Sequence, residues 1–118
     1  MDLDFWSYKE GAVHDDQTVY ERVCCDGEVM DILEELPISG ILSELDKAFF
    51  KWTKLDENHF ESPSGAMLEL FHTPMSIRFD CYDMTQDDMN ILIDIMERFG
   101  CPLYDPQIST RFDGWTDR

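Results

Sequence analysis

The residue types that most often carry chemistry in proteins are few in this chain, and their spacing does not favour a catalytic site. The three histidines are His14, His59 and His72. None stands four residues from another, the helical spacing of many metal ligands. The chain also contains no GxSxG, no HExxH and no glycine-rich phosphate loop. We therefore predict no catalytic residues, no metal and no cofactor, with metal binding by His59 and His72 across a hairpin as the weaker alternative.

The four cysteines are Cys24, Cys25, Cys81 and Cys101, and they contain no CxxC pair of the kind that holds structural zinc. Cys81 and Cys101 are better explained as small buried side chains than as reactive thiols. The N-terminal residues MDLDFWSYKE are acidic, whereas a secretory signal begins basic and continues apolar. We therefore expect a cytoplasmic protein in which all four thiols are reduced.

Charge is the most informative bulk property of the chain. It carries 26 Asp and Glu against 9 Lys and Arg, which gives a formal net charge of -17. Such a surface repels phosphate backbones, so direct nucleic-acid binding is disfavoured, and no apolar run is long enough to span a membrane. It would instead attract a basic protein and speed the encounter. The alternative is that the acidity only keeps the protein soluble.

Many of the acidic residues fall in two runs that contain no basic residue. One run lies between Arg22 and Lys47, and the other lies between Arg78 and Arg98. The simpler interpretation is that they form solvated helix faces and entry loops. The sharper interpretation is a negative patch that binds a basic protein around exposed aromatic side chains. On that interpretation, the predicted partner-binding residues are Asp26, Glu28, Asp31, Glu34, Glu35, Trp6 and Tyr82.

The clearest structural pattern covers residues 75–105. Apolar and polar residues alternate from Ser76 to Tyr82, as in a strand with one buried face. A helix follows, with Thr85 as its N-cap and Gly100 as its left-handed stop. A second strand then ends near Asp105. This order predicts a right-handed crossover if the two strands are parallel neighbours.

The rest of the chain predicts further helices and strands. They are a strand at 3–8, a helix at 17–25 capped by Asp16, an amphipathic helix from Pro37 to about Trp52, and strands at 58–62 and 66–72. The segment 17–25 has a strand as its rival interpretation, because it is rich in β-branched and aromatic residues. Leu45, Phe49, Ile77, Phe79, Leu92, Ile93 and Met96 are predicted to be buried together.

Together these elements predict one α+β domain over residues 1–118. We expect a two-layer sandwich in which an antiparallel meander extends to a mixed sheet, with the helices on one face. Residues 106–118 are predicted to form a tail, with Phe112 or Trp115 docked onto the body.

One segment resembles a known group of proteins. The residues FDCYDMTQDDMNILIDIMERFGCPLYDPQ are similar to a segment of small bacterial proteins of unassigned function, which share an FDCY strand, an amphipathic helix and a GCPLYDPQ return. The resemblance covers residues 78–107, with a looser echo at 34–37. It implies a bacterial source and supplies no catalytic residues. Among small acidic bacterial proteins it favours an immunity protein, which neutralises a toxin in the producing cell.

Three functions are compatible with these observations. The first is a non-enzymatic immunity or inhibitor protein that neutralises a basic toxin or nuclease. The second is a nucleic-acid mimic that occupies a DNA-binding protein. The third is a small enzyme or ligand-binding domain with a pocket between a helix and the sheet. The residues predicted to line that pocket are Asp80, Tyr82, Tyr104 and Asp105.

Overall fold

The structure, a computed structural model, describes residues 2–12, 14–105, 107–108 and 110–112. In chain order, its elements are β1 (Asp2–Phe5), α1 (Asp16–Val19), α2 (Ile38–Ala48), β2 (Thr53–Asp56), β3 (His59–Glu61), β4 (Met67–Thr73), β5 (Ser76–Tyr82), α3 (Gln86–Arg98), β6 (Leu103–Asp105) and β7 (Thr110–Arg111). π-Helical turns over Tyr20–Cys25 continue α1, and the two together are called the first helix below.

The strands form one seven-stranded sheet in the order β2-β3-β4-β5-β1-β6-β7. The α+β class is confirmed, and so is the antiparallel meander of β3, β4 and β5. The sheet is not mixed, however, because every described strand pair is antiparallel. β5 and β6 run parallel to each other, as the crossover requires, but they are not neighbours. β1 lies between them and pairs antiparallel with both.

The main core lies between one face of this sheet and the helices α2 and α3. It contains the inward residues of β1, β4 and β5, such as Phe5, Leu70 and Phe79, together with the apolar stripes of both helices. Six of the seven predicted core residues are buried in this cluster, and Ile93 is partly buried against it. The alternation from Ser76 to Tyr82 therefore predicted the buried face of β5 correctly.

The opposite face of the sheet carries a second, smaller core. Trp6 and Tyr104 are fully buried there against Val19 and Val23 of the first helix. The segment 17–25 is thus helical, but it does not lie on the same side as α2 and α3. The prediction that all helices lie on one face of the sheet is therefore wrong, because the first helix covers the opposite face. Large apolar side chains project from both faces of the sheet here, with Phe5 and Leu103 on one side and Trp6 and Tyr104 on the other, so both faces need a cover.

The helix ends follow ordinary capping chemistry. The Thr85 hydroxyl accepts a hydrogen bond from the backbone N–H of Asp88 at 3.1 Å, as predicted. Gly100 ends α3 with φ of 76°, a left-handed conformation that favours glycine. The first helix is capped by Asp15, one residue before the predicted cap, through the N–H of Thr18 at 3.0 Å.

Both edges of the sheet depart from prediction. α2 ends at Ala48 rather than near Trp52, and the chain then forms the exposed edge strand β2. At the other edge, part of the predicted tail pairs with β6 as β7. The backbone N–H of Phe112 donates to the carbonyl of Leu103 at 2.7 Å. Trp115 lies outside the described residues, so its predicted docking stays a prediction.

Candidate partner-binding surface

The acidic loop, residues 26–36, joins the first helix to α2 and presents carboxylates to solvent. Its backbone is fixed at both ends. Near the N-terminal end, Glu28 N–H donates to the Arg22 carbonyl at 2.9 Å. Near the C-terminal end, Glu34 N–H donates to the Ser7 carbonyl and Leu36 N–H donates to the Pro74 carbonyl, each at 2.8 Å. Met30 and Leu33 anchor it in the second core. The predicted acidic residues therefore project outward from a held loop. All of them are exposed: Asp26, Glu28, Asp31, Glu34 and Glu35.

One apolar side chain is exposed within this loop. Val29 lies 62% exposed between the acidic residues. Glu28 forms an ion pair with Arg22 at 3.2 Å. In the described part of the chain, no lysine or arginine forms an ion pair with the other four acidic residues. The loop thus combines carboxylates that lack a cation with a small apolar surface.

A second acidic surface lies on the sheet itself. The first helix covers part of one sheet face, and we call the uncovered part of that face the acidic sheet face. Strand register places its side chains in two rows across the strands. One row runs Asp2, Asp80, Glu69 and His59, and the other runs Tyr82, Met67 and Glu61.

The acidic sheet face has few cations to balance its carboxylates. Arg78 is the nearest arginine along β5, and its Nε donates to Asp4 Oδ1 at 2.9 Å. His59 is the base within the rows, with Nε2 at 3.1 Å from Glu69 and Nδ1 at 2.7 Å from Asp56. The hydrogen bond to Asp56 raises the pKa of His59 and lowers that of Asp56. Among the described residues, no lysine or arginine forms an ion pair with Asp2, Asp80 or Glu61.

Asp2 and Asp80 are cross-strand partners on this face. Burial, together with the hydrogen bond and negative charge of Asp2, raises the pKa of Asp80 to about 7. Within the described residues, Asp80 Oδ1 is shielded from solvent and receives no hydrogen bond from another donor. Two neighbouring carboxyl groups resist carrying two negative charges at once, so a lysine or arginine side chain placed beside them would favour the ionised form of Asp80.

Tyr82 gives the acidic sheet face an aromatic side chain. It is 50% exposed and stands directly across from the partly buried Met67. The negative charge of Asp80 raises the pKa of Tyr82, so its hydroxyl remains a neutral donor. Phe71, on the same face of β4, is 49% exposed. Aromatic rings flanked by carboxylates suit contact with lysine or arginine side chains.

Two other predicted site residues are buried instead of exposed. Trp6 is 0% exposed beneath the first helix, with its ring centroid 5.0 Å from that of Tyr104. Tyr104 is equally buried, and its hydroxyl donates to Gln17 Oε1. Trp6 therefore cannot serve as an exposed anchor. Its position on the outward side of β1 was correct, but the first helix covers that side.

The four residues predicted to line a pocket do not come together around one. Asp80 and Tyr82 belong to the acidic sheet face. Tyr104 lies under the first helix, and the alternation along β6 places Asp105 on the other face, where its Oδ1 accepts the N–H of Gln107 at 2.9 Å. None of the four lines either described cavity.

The remaining chemical groups are placed as buried or isolated side chains. Cys81 and Cys101 are buried, as predicted, and all four cysteines are free thiols. Within the described residues, no group of three His, Cys, Asp or Glu side chains is arranged to hold a metal ion. None of the helices in the described part of the chain combines the length and apolar character that a membrane crossing needs.

The pairing of Asp4 with Arg78 was missed by the sequence interpretation. Sequence alone placed Arg78 on the outward side of its strand, but the two residues lie 74 positions apart. The available signal was Asp4, which stands between the apolar residues Leu3 and Phe5 of β1. An acidic residue in such a position needs a basic partner when its strand is central.

Comparison with models of protein families found no match to this chain. Comparisons with curated proteins and with solved structures also found no match.

Proposed function

We propose that this chain is a non-enzymatic binding protein that holds a basic protein partner. The observation that carries the proposal is the half-exposed Tyr82, set in rows of carboxylates that lack a lysine or arginine partner in the described part of the chain. Tyrosine is a frequent energetic anchor of protein interfaces. The surrounding carboxylates would pair with lysine or arginine side chains of the partner.

The partner class follows from charge. A net charge of -17 speeds the approach of a strongly basic protein and repels nucleic acid and acidic proteins. Nucleases and other proteins that bind phosphate backbones present such basic surfaces. We therefore propose an inhibitor or immunity protein for a basic toxin or nuclease. The resemblance of residues 78–107 to small bacterial proteins supports the same class.

Selective capture tests this function. The wild-type chain and two charge-reversed variants would be immobilised and exposed to lysate of the source cell at low and high salt. One variant carries Asp2→Lys and Asp80→Lys on the acidic sheet face. The charge-matched control carries Glu10→Lys and Asp94→Lys at exposed positions elsewhere.

We expect the wild type and the control to retain a basic protein that elevated salt releases, and the sheet-face variant to lose it. The retained protein should be a toxin or nuclease whose activity falls when the wild-type chain is added. Capture of an acidic or neutral protein, or equal capture by both variants, would contradict the proposal. A retained transcription factor without toxic activity would point to nucleic-acid mimicry instead.

A further inference from the structure

A cleft of about 430 Å³ separates α2 from the hairpin of β2 and β3. This volume is within the range of small-molecule sites. α2 contributes a stripe at helical spacing, Ser39, Leu42, Ser43 and Asp46, and the sheet side contributes Lys54, Glu57, Asn58 and His72. The cleft lies on the face opposite the acidic sheet face, because His72 alternates with Phe71 along β4.

The cleft has an apolar floor and a polar rim. Leu45 and Phe60, both buried in the main core, form the floor. In the described part of the chain, the side chains of Ser39, Ser43 and His72 take part in no hydrogen bond or ion pair. These groups are therefore free to bind a ligand that displaces water.

An internal cation already occupies one position in this cleft. Lys54 Nζ lies 3.0 Å from Asp46 Oδ1 and 5.6 Å from the centroid of the Phe60 ring. A carboxylate on one side and an aromatic ring on the other is a standard environment for an ammonium group. The lysine itself is held loosely, since its side chain is 46% exposed and that of Asp46 is 51% exposed. An exposed pair of this kind contributes little stability.

Charge selects the class of ligand. Glu57 adds a second carboxylate to the rim, and the net charge of -17 raises the local concentration of cations. Anionic ligands would be repelled. We propose that this cleft binds a small organic amine, whose ammonium group takes the place of Lys54 between Asp46 and Phe60. The site is separate from the acidic sheet face and does not depend on the partner proposed above.

The test uses 1,4-diaminobutane as the probe and 1,4-butanediol as its neutral counterpart. Each would be titrated into the full chain while amide chemical shifts are followed by NMR. We expect the diamine to shift amides along the Ser39 to Asp46 stripe and around Asn58, and the diol to shift none. Asp46→Asn should weaken diamine binding about tenfold, because it removes a charge-assisted hydrogen bond. Asp31→Asn on the acidic loop makes the same change of charge and should have almost no effect.

A second variant separates a built site from general attraction to an acidic protein. Lys54→Met removes the internal ammonium and keeps the methylene groups that cover Phe60. It should tighten diamine binding about two- to fivefold, the range that release from an exposed ion pair allows. Lys9→Met replaces a lysine elsewhere and serves as the control. The proposal would be overturned if Lys54→Met changed the affinity for the diamine no more than Lys9→Met does. Shifts spread over the whole acidic surface, or equal losses in Asp46→Asn and Asp31→Asn, would also overturn it.

Discussion

Arg78 and Asp4 form a buried ion pair at the centre of the sheet, with Arg78 Nε 2.9 Å from Asp4 Oδ1. The Asp4 side chain is fully buried, and that of Arg78 is 21% exposed. The same guanidinium lies over the ring of Tyr20, 5.4 Å from its centroid, and 3.6 Å from Cys25 Sγ. Arg78 therefore links the first helix to the central strands β1 and β5. The packing of the first helix against this face of the sheet depends on the ion pair.

The first prediction concerns this ion pair. Asp4→Asn keeps the shape of the side chain but leaves Arg78 without its counter-ion, and should lower the free energy of unfolding by about 3 kcal/mol, as for other broken buried pairs. Urea denaturation measures the loss. Arg22→Gln breaks the exposed pair with Glu28 and should cost less than about 1 kcal/mol. Equal effects of the two variants would mean that the central pair is not important for stability.

The second prediction concerns pH. Burial, together with the neighbouring Asp2, raises the pKa of Asp80 to about 7. The folded state therefore holds a proton that the unfolded state releases at lower pH, so this group's contribution to stability falls as pH rises from about 4 to about 7. Burial likewise raises the pKa of Asp4 to about 6, against the opposing effect of Arg78, which adds to the fall over a similar range.

Thermal denaturation at about pH 5 and about pH 8 tests this linkage. Asp80→Asn should reduce the loss of Tm between the two values, because its amide does not titrate. Asp94→Asn makes the same change of charge at an exposed position of α3 and should keep the wild-type difference. The linkage would be contradicted if the wild type and Asp80→Asn showed the same loss of Tm between the two pH values.

The third prediction concerns the main core. Phe79 is fully buried and packs edge-on against Phe5, with ring centroids 5.7 Å apart. Phe79→Ala should cost about 3–5 kcal/mol of unfolding free energy, as for other buried aromatic residues. Phe71→Ala, on the opposite face of the neighbouring strand and half exposed, should cost much less. A loss below about 1 kcal/mol for Phe79→Ala would mean that β5 is not central.

The fourth prediction concerns the cysteines. All four should titrate as free thiols after denaturation without reductant. In the native protein, Cys25 should react first because it is exposed. Cys81 and Cys101 should react only as the protein unfolds, because burial raises their pKa values to about 12 and about 11. A count of two or none would reject the expectation of a reduced protein.

The part of the fold that sequence predicted well has strong local signals. The alternation along β5 and the capped apolar stripe of α3 give both elements and their buried faces, because strand and helix periods determine which side chains share a face. Thr85 and Gly100 determine the ends of α3 for equally local reasons. The meander also follows from short turns between neighbouring strands.

The errors came from long-range pairing. Nothing local places β1 between β5 and β6, since that position depends on contacts such as Leu3 with Phe79. Once β1 is central, both of its faces need a cover, and Trp6 becomes a core residue beneath the first helix. The acidic residues of the acidic loop were correctly predicted to be exposed. The rows on the acidic sheet face were not predicted, because they exist only through the register of four strands.

The central claim is that the acidic surface attracts a basic partner and that Tyr82 helps hold it. The most direct measurement is the association and dissociation kinetics of the captured partner at several salt concentrations. We expect the association rate to fall about tenfold or more between about 0.05 and 0.5 M salt, with little change in dissociation. Asp80→Lys should slow association, and Tyr82→Ala should instead speed dissociation. An association rate indifferent to salt, with a partner that is not basic, would contradict the claim and leave the acidity as a means of solubility.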